Sequence, residues 1–308
     1  MRASVIIAAH NEGSLLWRTV RSTVEVVGDL DCEILVADDA STDGCIDEAR
    51  RRHPEIRIVS YPRRRGCSAA KDLGARKARG DVLVFIDGHC KPEGFAIHQL
   101  VNDVERLEGK AIVTPSVPAL DVKRWASSDR KVGNGYRLSL LTFRSDWVPL
   151  RRLRTMGTLY ECPALVGCCL AISKDLYAKL RGFDPHMIEW GTEDVDLGLK
   201  AWLLGHGIVH DPMATIGHRF RSGFTNYSVR SESVLANEIR CARKNLTESL
   251  WREWTRRARR RNSKGMWAGA WKLFESRRAS AEREREYIAE HRVHDPGWYA
   301  RRFGLRWP

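Results

Sequence analysis

The chain has 308 residues and a mass of 35.1 kDa, is 43% hydrophobic and 30% charged, and so excludes both a disordered polymer and a membrane channel while leaving room for one large or two small domains. Its formal charge is +13, unevenly spread: from Trp251 onward sixteen Lys/Arg stand against seven Asp/Glu, a surplus of nine, which leaves four for the preceding 250 residues. That is a near-neutral body with a basic tail and no nucleic-acid wrapper. In chain order, the apolar or β-branched runs Ser4–Ala9, Glu33–Ala37, Ile56–Ser60 and Asp81–Ile86 predict buried strands. Helices are expected over Gly13–Val27, Asp43–Arg52 and Ser68–Arg79, the last stopped by Gly80. Strand and helix alternating at this spacing predict an α/β fold with a mostly parallel, Rossmann-like sheet flanked by helices.

Ala111–Val117 reads as a further strand, and Asp121–Glu161 as an irregular covering excursion rich in Arg and Trp. Strand character returns over Ala164–Ile172, followed by a short helix at Lys174–Arg181 and another at Thr192–Leu204, where Asp196 and Lys200 have a supportive four-residue spacing. Beyond Arg221 the pattern is charged and helical to about residue 292, then ends in an aromatic-basic segment, Trp298–Pro308. The expected division is a domain over 1–222 and a basic, Trp-rich helical extension over 223–308. Eight scattered cysteines without a C-x-x-C pair fit neither a zinc ribbon nor a disulfide scaffold and suggest a reducing, cytoplasmic setting. No signal peptide precedes the first strand, and the longest apolar run is too short to span a bilayer.

In parallel sheets ligands lie beyond the carboxyl ends of the strands. Those ends carry polar clusters that folding alone does not require: His10-Asn11-Glu12, Asp38-Asp39 and Asp87-Gly88-His89. Asp87 and His89, two residues apart after a buried strand, can share a cation, and Gly88 leaves the backbone approachable. An oxygen–nitrogen pair of this kind suits Mn²⁺ or another borderline divalent ion, with His218 a plausible third ligand.

The order of motifs then resembles a known family. Ser4-Val5-Ile6-Ile7-Ala8-Ala9-His10-Asn11-Glu12, followed by Leu15-Leu16-Trp17-Arg18-Thr19-Val20, resembles the opening of GT-A glycosyltransferases, above all of polypeptide N-acetylgalactosaminyltransferases. Glu33-Ile34-Leu35-Val36-Ala37-Asp38-Asp39 is similar to their second-strand motif, and Asp87-Gly88-His89 to their Asp-x-His form of Asp-x-Asp. Glu189-Trp190-Gly191-Thr192-Glu193-Asp194 and Gly217-His218-Arg219-Phe220-Arg221 are similar to their last two motifs. The resemblance spans about residues 4–222 and implies a GT-A catalytic domain with a nucleotide-sugar donor, most often UDP-linked.

Residue by residue, the resemblance implies that Asp39, with Asp38 as neighbour, meets the uracil while Ala9 and His10 line base and ribose, with Glu12 in the same cluster. Arg64, before Gly66, would sit near the ribose or sugar. Asp87, His89 and His218 would hold Mn²⁺ (or Mg²⁺) against the diphosphate, and Arg221 would offer its fork to a phosphate oxygen. Gly167 would bring backbone close to the sugar, with Trp190 and Glu193 contacting it or closing over it. One departure bears on stereochemistry. The retaining polypeptide transferases carry Asn after the Glu of the penultimate motif, whereas this chain has Asp194. Inverting family 2 enzymes carry Glu-Asp there with the Asp as general base, so Asp194 is expected to stay ionised at a helix start and to deprotonate an acceptor hydroxyl or thiol.

Several of these residues have structural readings as well. Asp38 and Asp39 could close a turn or cap a helix, His10 could be a solvated loop residue, Trp190 could be a lid or core, and Cys168 and Cys169 read as packing residues. Six of eleven tryptophans (251, 254, 267, 271, 298 and 307) follow residue 250. They would pack the tail onto the catalytic domain, or present an acceptor platform or a contact at the inner membrane face. The acceptor expected is a peptide or protein Ser, Thr or Cys, or a glycan. A saccharide, lipid-linked or small-molecule acceptor, a retaining enzyme and a non-catalytic nucleotide-sugar binder are the alternatives.

Overall fold

The computed structural model describes residues 1–128, 135–221, 223 and 227–305. Its first half follows the predicted alternation: β1 (Ala3–Ala9), α1 (Ser14–Val27), β2 (Cys32–Asp38), α2 (Cys45–Arg52), β3 (Arg57–Ser60), α3 (Cys67–Lys77) and β4 (Val82–Asp87). Strands β3-β2-β1-β4 lie side by side and all parallel. Their side chains alternate between two buried faces: Val5, Ile7 and Val84 pack with α1 and the helix that follows β4, while Ile6, Leu83 and Phe85 pack toward α3. Burial on both faces is why these strands read as unbroken apolar runs. Gly80 does not stop α3, which already ends at Lys77; a Cβ there would come 2.2 Å from the Ala3 carbonyl carbon, so the glycine permits close passage of the chain beneath β1.

The second half makes the sheet mixed. It adds β5 (Cys90–Glu93), α4 (Ala96–Arg106) and β6 (Ala111–Ser116). The covering excursion then resolves into two hairpins, β7 (Leu120–Asp121) with β8 (Ala126–Ser127) and β9 (Gly135–Leu138) with β10 (Ser145–Val148), before β11 (Arg154–Met156) and β12 (Leu159–Glu161) join the edge of the main sheet. Next come β13 (Cys169–Ser173), α5 (Lys174–Lys179), α6 (Glu193–Leu203) and β14 (Gly207–His218). The strand predicted over Ala164–Ile172 begins only at Cys169 because β13 runs antiparallel to β4, and the residues before it arrive at the carboxyl end of β4. Strand β14 runs parallel to β6, shifts register between Asp211 and Thr215, and pairs antiparallel with β5 so that His218 stands opposite Cys90.

The remaining helices are α7 (Ser231–Asn245), α8 (Glu248–Arg261), α9 (Lys264–Glu275), α10 (Arg278–His291) and α11 (Pro296–Arg302). They share one core with α3, α5 and α6. Trp251 and Trp254 are buried, Trp251 stacks near Trp254 and Trp271, and Trp267, Trp271 and Trp298 pack partly buried against the same core. Trp251 and Trp254 are therefore interior packing and the other three half-buried packing, while Trp307 lies outside the described residues.

Helix α7 is anchored by charge as well as by apolar contact. Lys244 is fully buried, its Nζ 2.5 Å from Asp184 Oδ2 and 2.7 Å from Asp196 Oδ2. Arg240 reaches Asp184 at 2.7 Å. The expected Asp196–Lys200 pair forms (3.3 Å) and is buried in this cluster. Burial would raise the Asp184 carboxyl, but Lys244 and Arg240 hold it well below the ordinary range. Lys244→Met takes one of two cationic partners from each of two buried carboxylates, leaving Asp184 with Arg240 and Asp196 with Lys200. It is expected to destabilise the protein by about 3–5 kcal/mol, a Tm fall of roughly 6–15 °C by thermal circular dichroism. Glu25→Ala, which breaks an exposed pair with Arg21, should leave stability within about 0.5 kcal/mol.

Candidate active site

Three strand ends meet at one place. Asp87 closes β4, His89 follows two residues later on the way into β5, and β14 delivers His218 beside β5. The His89 and His218 Nε2 atoms are 3.1 Å apart, and Asp87 Oδ2 is 3.7 Å from His218 Nε2. Candidate ligand atoms of the three residues all lie within 4.8 Å of one another. Two imidazole nitrogens about 3 Å apart have the spacing of adjacent ligands roughly 2.1 Å from an octahedral ion. Burial pushes the His89 imidazole down although Glu12 pulls it back, which favours the neutral form that a metal requires. Burial would raise Asp87, but the Lys71 ammonium, with the two histidines, holds it well below the usual carboxylate range. The donor set fits a borderline divalent cation such as Mn²⁺.

The trio forms part of the floor of a cleft of about 390 Å³, within the range of small-molecule sites. Its base end is formed by Ala9, His10 and Asp39, and its rim by Arg64 and Tyr227, with the Arg64 guanidinium 4.6 Å above the tyrosine ring. Asp39 accepts the backbone N–H groups of Arg65 (2.6 Å) and Gly66 (2.7 Å), which bends the chain before α3 back over the carboxyl end of β2. Beyond the trio, Arg221 Nη2 binds the buried Glu12 carboxylate and lies 3.2 Å from His89 Nδ1. Five buried polar atoms of cleft residues have no hydrogen-bond partner among the described residues: His10 Nδ1, Arg64 Nε, His218 Nδ1, and Nε and Nη1 of Arg221. Unpaired buried polar groups are costly, and these five are groups that a polar ligand in the cleft could satisfy.

At the other end of the cleft stand Glu193 and Asp194, in the first turn of α6. Lys71 Nζ lies 3.3 Å from Glu193 Oε1, 3.4 Å from Asp87 Oδ1 and 2.7 Å from the Gly167 carbonyl. Burial would drive the proton off Lys71, but Asp87 and Glu193 more than reverse this and keep it charged. Asp194 accepts the N–H of Gly167 at 3.2 Å and of Val195 at 2.8 Å. Burial and the neighbouring Glu193 carboxylate nevertheless push it up to about 6, with Lys71 pulling back. The helix start therefore does not dominate its ionisation: Asp194 carries its charge only above about pH 6. Trp190 is 43% exposed at the cleft rim and so is not core.

The three glycines singled out from sequence make room for protein. A Cβ at Gly66 would strike the Glu189 backbone, one at Gly88 would strike Glu12 Cγ, and one at Gly167 would come 2.9 Å from Asp194 Cβ. Of the three only Gly167 lines the cleft. Asp38 stands behind the lining and accepts the Ser41 N–H at 2.9 Å, the turn-closing alternative for that residue. Lys71, Cys67 and Tyr227 line the cleft unforeseen. A lysine among Ala69, Ala70, Gly74 and Ala75, where α3 turns its small face inward, is the sequence signal that could have found the first.

Residues 4–181 match the family model described as glycosyl transferase family 2, and residues 149–221 match that of the N-terminal domain of galactosyltransferase. Among curated proteins, mouse polypeptide N-acetylgalactosaminyltransferase 6 is 31% identical over 255 residues, covering 78% of this chain and 41% of its own length. Human polypeptide N-acetylgalactosaminyltransferase 15 is 27% identical over 253 residues, covering 78% and 39%. The chain thus spans about two-fifths of the length of the curated relatives it matches. Among solved structures, GalNAc-T7 with UDP, GalNAc and Mn²⁺ superposes with a TM-score of 0.75 at 21% identity, over 98% of this chain and 56% of that one. S. aureus TarS 1–349 with UDP-GlcNAc gives 0.58 at 14% identity, over 100% and 93%. These structural likenesses establish the GT-A fold. No helix among the described residues is long and apolar enough to cross a membrane.

Proposed function

The chain belongs to glycosyltransferase family 2, and from that premise we propose that it transfers a sugar from a UDP-linked donor to a hydroxyl or thiol, with inversion. The observation that carries this reading is the trio of Asp87, His89 and His218 set beside the unpaired N–H groups of Arg221 in one cleft. Glycosyl transfer builds positive charge at the anomeric carbon and negative charge on the departing diphosphate. A divalent ion held by the trio would supply Lewis-acid stabilisation of that diphosphate. Arg221 would add two directed hydrogen bonds to the phosphate, its Nη2 being held in place by Glu12. The base would lie between Ala9, His10 and the remaining lone pairs of Asp39, with Arg64 over the ribose.

On the opposite side, Asp194 would accept the proton of the incoming nucleophile while its two backbone donors fix its direction. Glu193, held by Lys71, and Trp190 at the rim would define the sugar pocket. The acceptor we propose is a peptide or protein Ser, Thr or Cys, because the related curated proteins are polypeptide transferases. We take 1–222 as the catalytic unit and 223–308 as its helical extension. All eight cysteines are free, which supports a reducing, cytoplasmic setting.

The test is a screen of UDP-sugars with Mn²⁺, reading UDP released by hydrolysis without acceptor. One donor should be hydrolysed well above the others, and His218→Ala should remove that turnover. Release of UDP that is indifferent to EDTA and to His218→Ala would reject the reading.

A further inference from the structure

We propose that Asn237, on α7, is a positioning residue that holds the turn carrying Trp190 in its place over the cleft; its link to donor binding rests on the function proposed above. Asn237 is 1% exposed and does not line the cleft. Its Oδ1 accepts the Ile188 N–H at 2.8 Å, which fixes the orientation of the amide. Its Nδ2 then faces three carbonyls of the same turn, those of Ile188 at 2.8 Å, Trp190 at 3.2 Å and Gly191 at 3.1 Å. One side chain thus satisfies backbone groups of three of four consecutive residues.

The turn needs such a brace. Glu189, Gly191 and Thr192 all have positive φ (54°, 100° and 72°), a conformation that is costly for glutamate and more so for a β-branched threonine. A strained turn persists only where its surroundings over-determine it. Here the surroundings come from two sides. The Glu189 carbonyl accepts the Cys67 N–H at 3.0 Å at the start of α3. The Glu189 carboxylate takes the backbone N–H and Nε of Arg230, both at 2.8 Å, just before α7. The turn runs directly into α6, where Glu193 and Asp194 stand. Helix α7, itself anchored by the buried Lys244 and Arg240, therefore sets where the rim of the cleft lies.

The test uses the full chain labelled with 5-fluorotryptophan, the Trp190 resonance being the one missing from Trp190→Phe. Asn237→Asp keeps the side-chain volume and the acceptor but removes the donors, and Asn237→Ala removes both. In each variant the Trp190 line is expected to move toward the shift of the free amino acid while the other tryptophan lines hold. The Kd for UDP with Mn²⁺ should rise about tenfold, as follows if the competent turn is populated about a tenth of the time, and kcat at saturating donor should change less. A Trp190 line that stays put overturns the proposal. So does a collapse of all tryptophan lines in both variants, which would make Asn237 a residue of the fold. A moved Trp190 line with unchanged UDP affinity overturns the link to the donor. Wild-type protein that binds no UDP rejects the donor reading instead, while the fluorine line still tests the brace.

Discussion

Asp87→Ala is expected to lower UDP release by roughly a thousandfold or more and to abolish Mn²⁺ binding read by electron paramagnetic resonance without any donor present. Asp87 is the one carboxylate of the trio, so its loss leaves two imidazoles, a ligand set too poor in negative charge to hold a hard-to-borderline ion against water. The same change removes the anion 3.4 Å from Lys71 Nζ. That ammonium then has Glu193 as its remaining carboxylate partner at 3.3 Å, and the floor of the cleft becomes more positive by one charge. Attraction for UDP itself should therefore survive in part through Lys71 and Arg221, so the variant separates binding of the nucleotide from breaking of its bond. Asp87→Asn, which keeps shape and loses charge, should behave in the same way. Retained Mn²⁺ binding together with release within tenfold of wild type would refute the metal assignment. The fold should tolerate both changes, because Asp87 sits at the last position of β4 and is not fully buried.

Asp87 and His89 are legible because they end and follow an apolar run, and strand ends are where a parallel sheet puts its chemistry, whereas His218 is legible only through its motif. What joins them was not legible. His218 reaches His89 only because β14 continues past β6 to pair with β5, and neither β14 nor β5 was foreseen. Pro212 and the polar His210–Asp211 pair mask the strand, and the register shift at 211–215 falls on those residues. Ala96, Ile97, Leu100, Val101 and Val104 carry the helical spacing of α4 plainly. In the tail the packing reading of the tryptophans holds. Its paired tryptophans do share helix faces as the spacing required, but spacing is silent on whether a face meets solvent or another helix. Asn237, Lys244 and Arg240 look like ordinary surface residues of a charged helix. The burial of Lys244 and Arg240 follows from Asp184 and Asp196, and that of Asn237 from the turn at 188–191, partners that no local pattern ties to them.

Asp194→Asn is expected to cut transfer to acceptor by about 10²–10⁴-fold while leaving the affinity for UDP with Mn²⁺ unchanged. Asparagine cannot take a proton, yet it can still accept the Val195 or Gly167 N–H that fixes the side chain. The wild-type pH profile supplies an independent reading. A general base works in its ionised form, so at saturating Mn²⁺ the rate should fall about tenfold per pH unit below about pH 6, where Asp194 becomes protonated. Burial is the first cause of that raised value and Glu193 the second, with Lys71 acting against them. Glu193→Gln removes a like charge and should carry the acid limb to lower pH, whereas Lys71→Met removes the stabilising cation and should carry it higher. His89 would shift in the same two directions, so the limb is assigned to Asp194 by its absence from the residual activity of Asp194→Asn. The product of a UDP-α-sugar should be the β-anomer by ¹H NMR, since a base facing the nucleophile across the anomeric carbon from the diphosphate directs attack from behind. An α-linked product, or a variant within a few-fold of wild type, would strip Asp194 of this role and place the enzyme with the retaining polypeptide transferases it resembles.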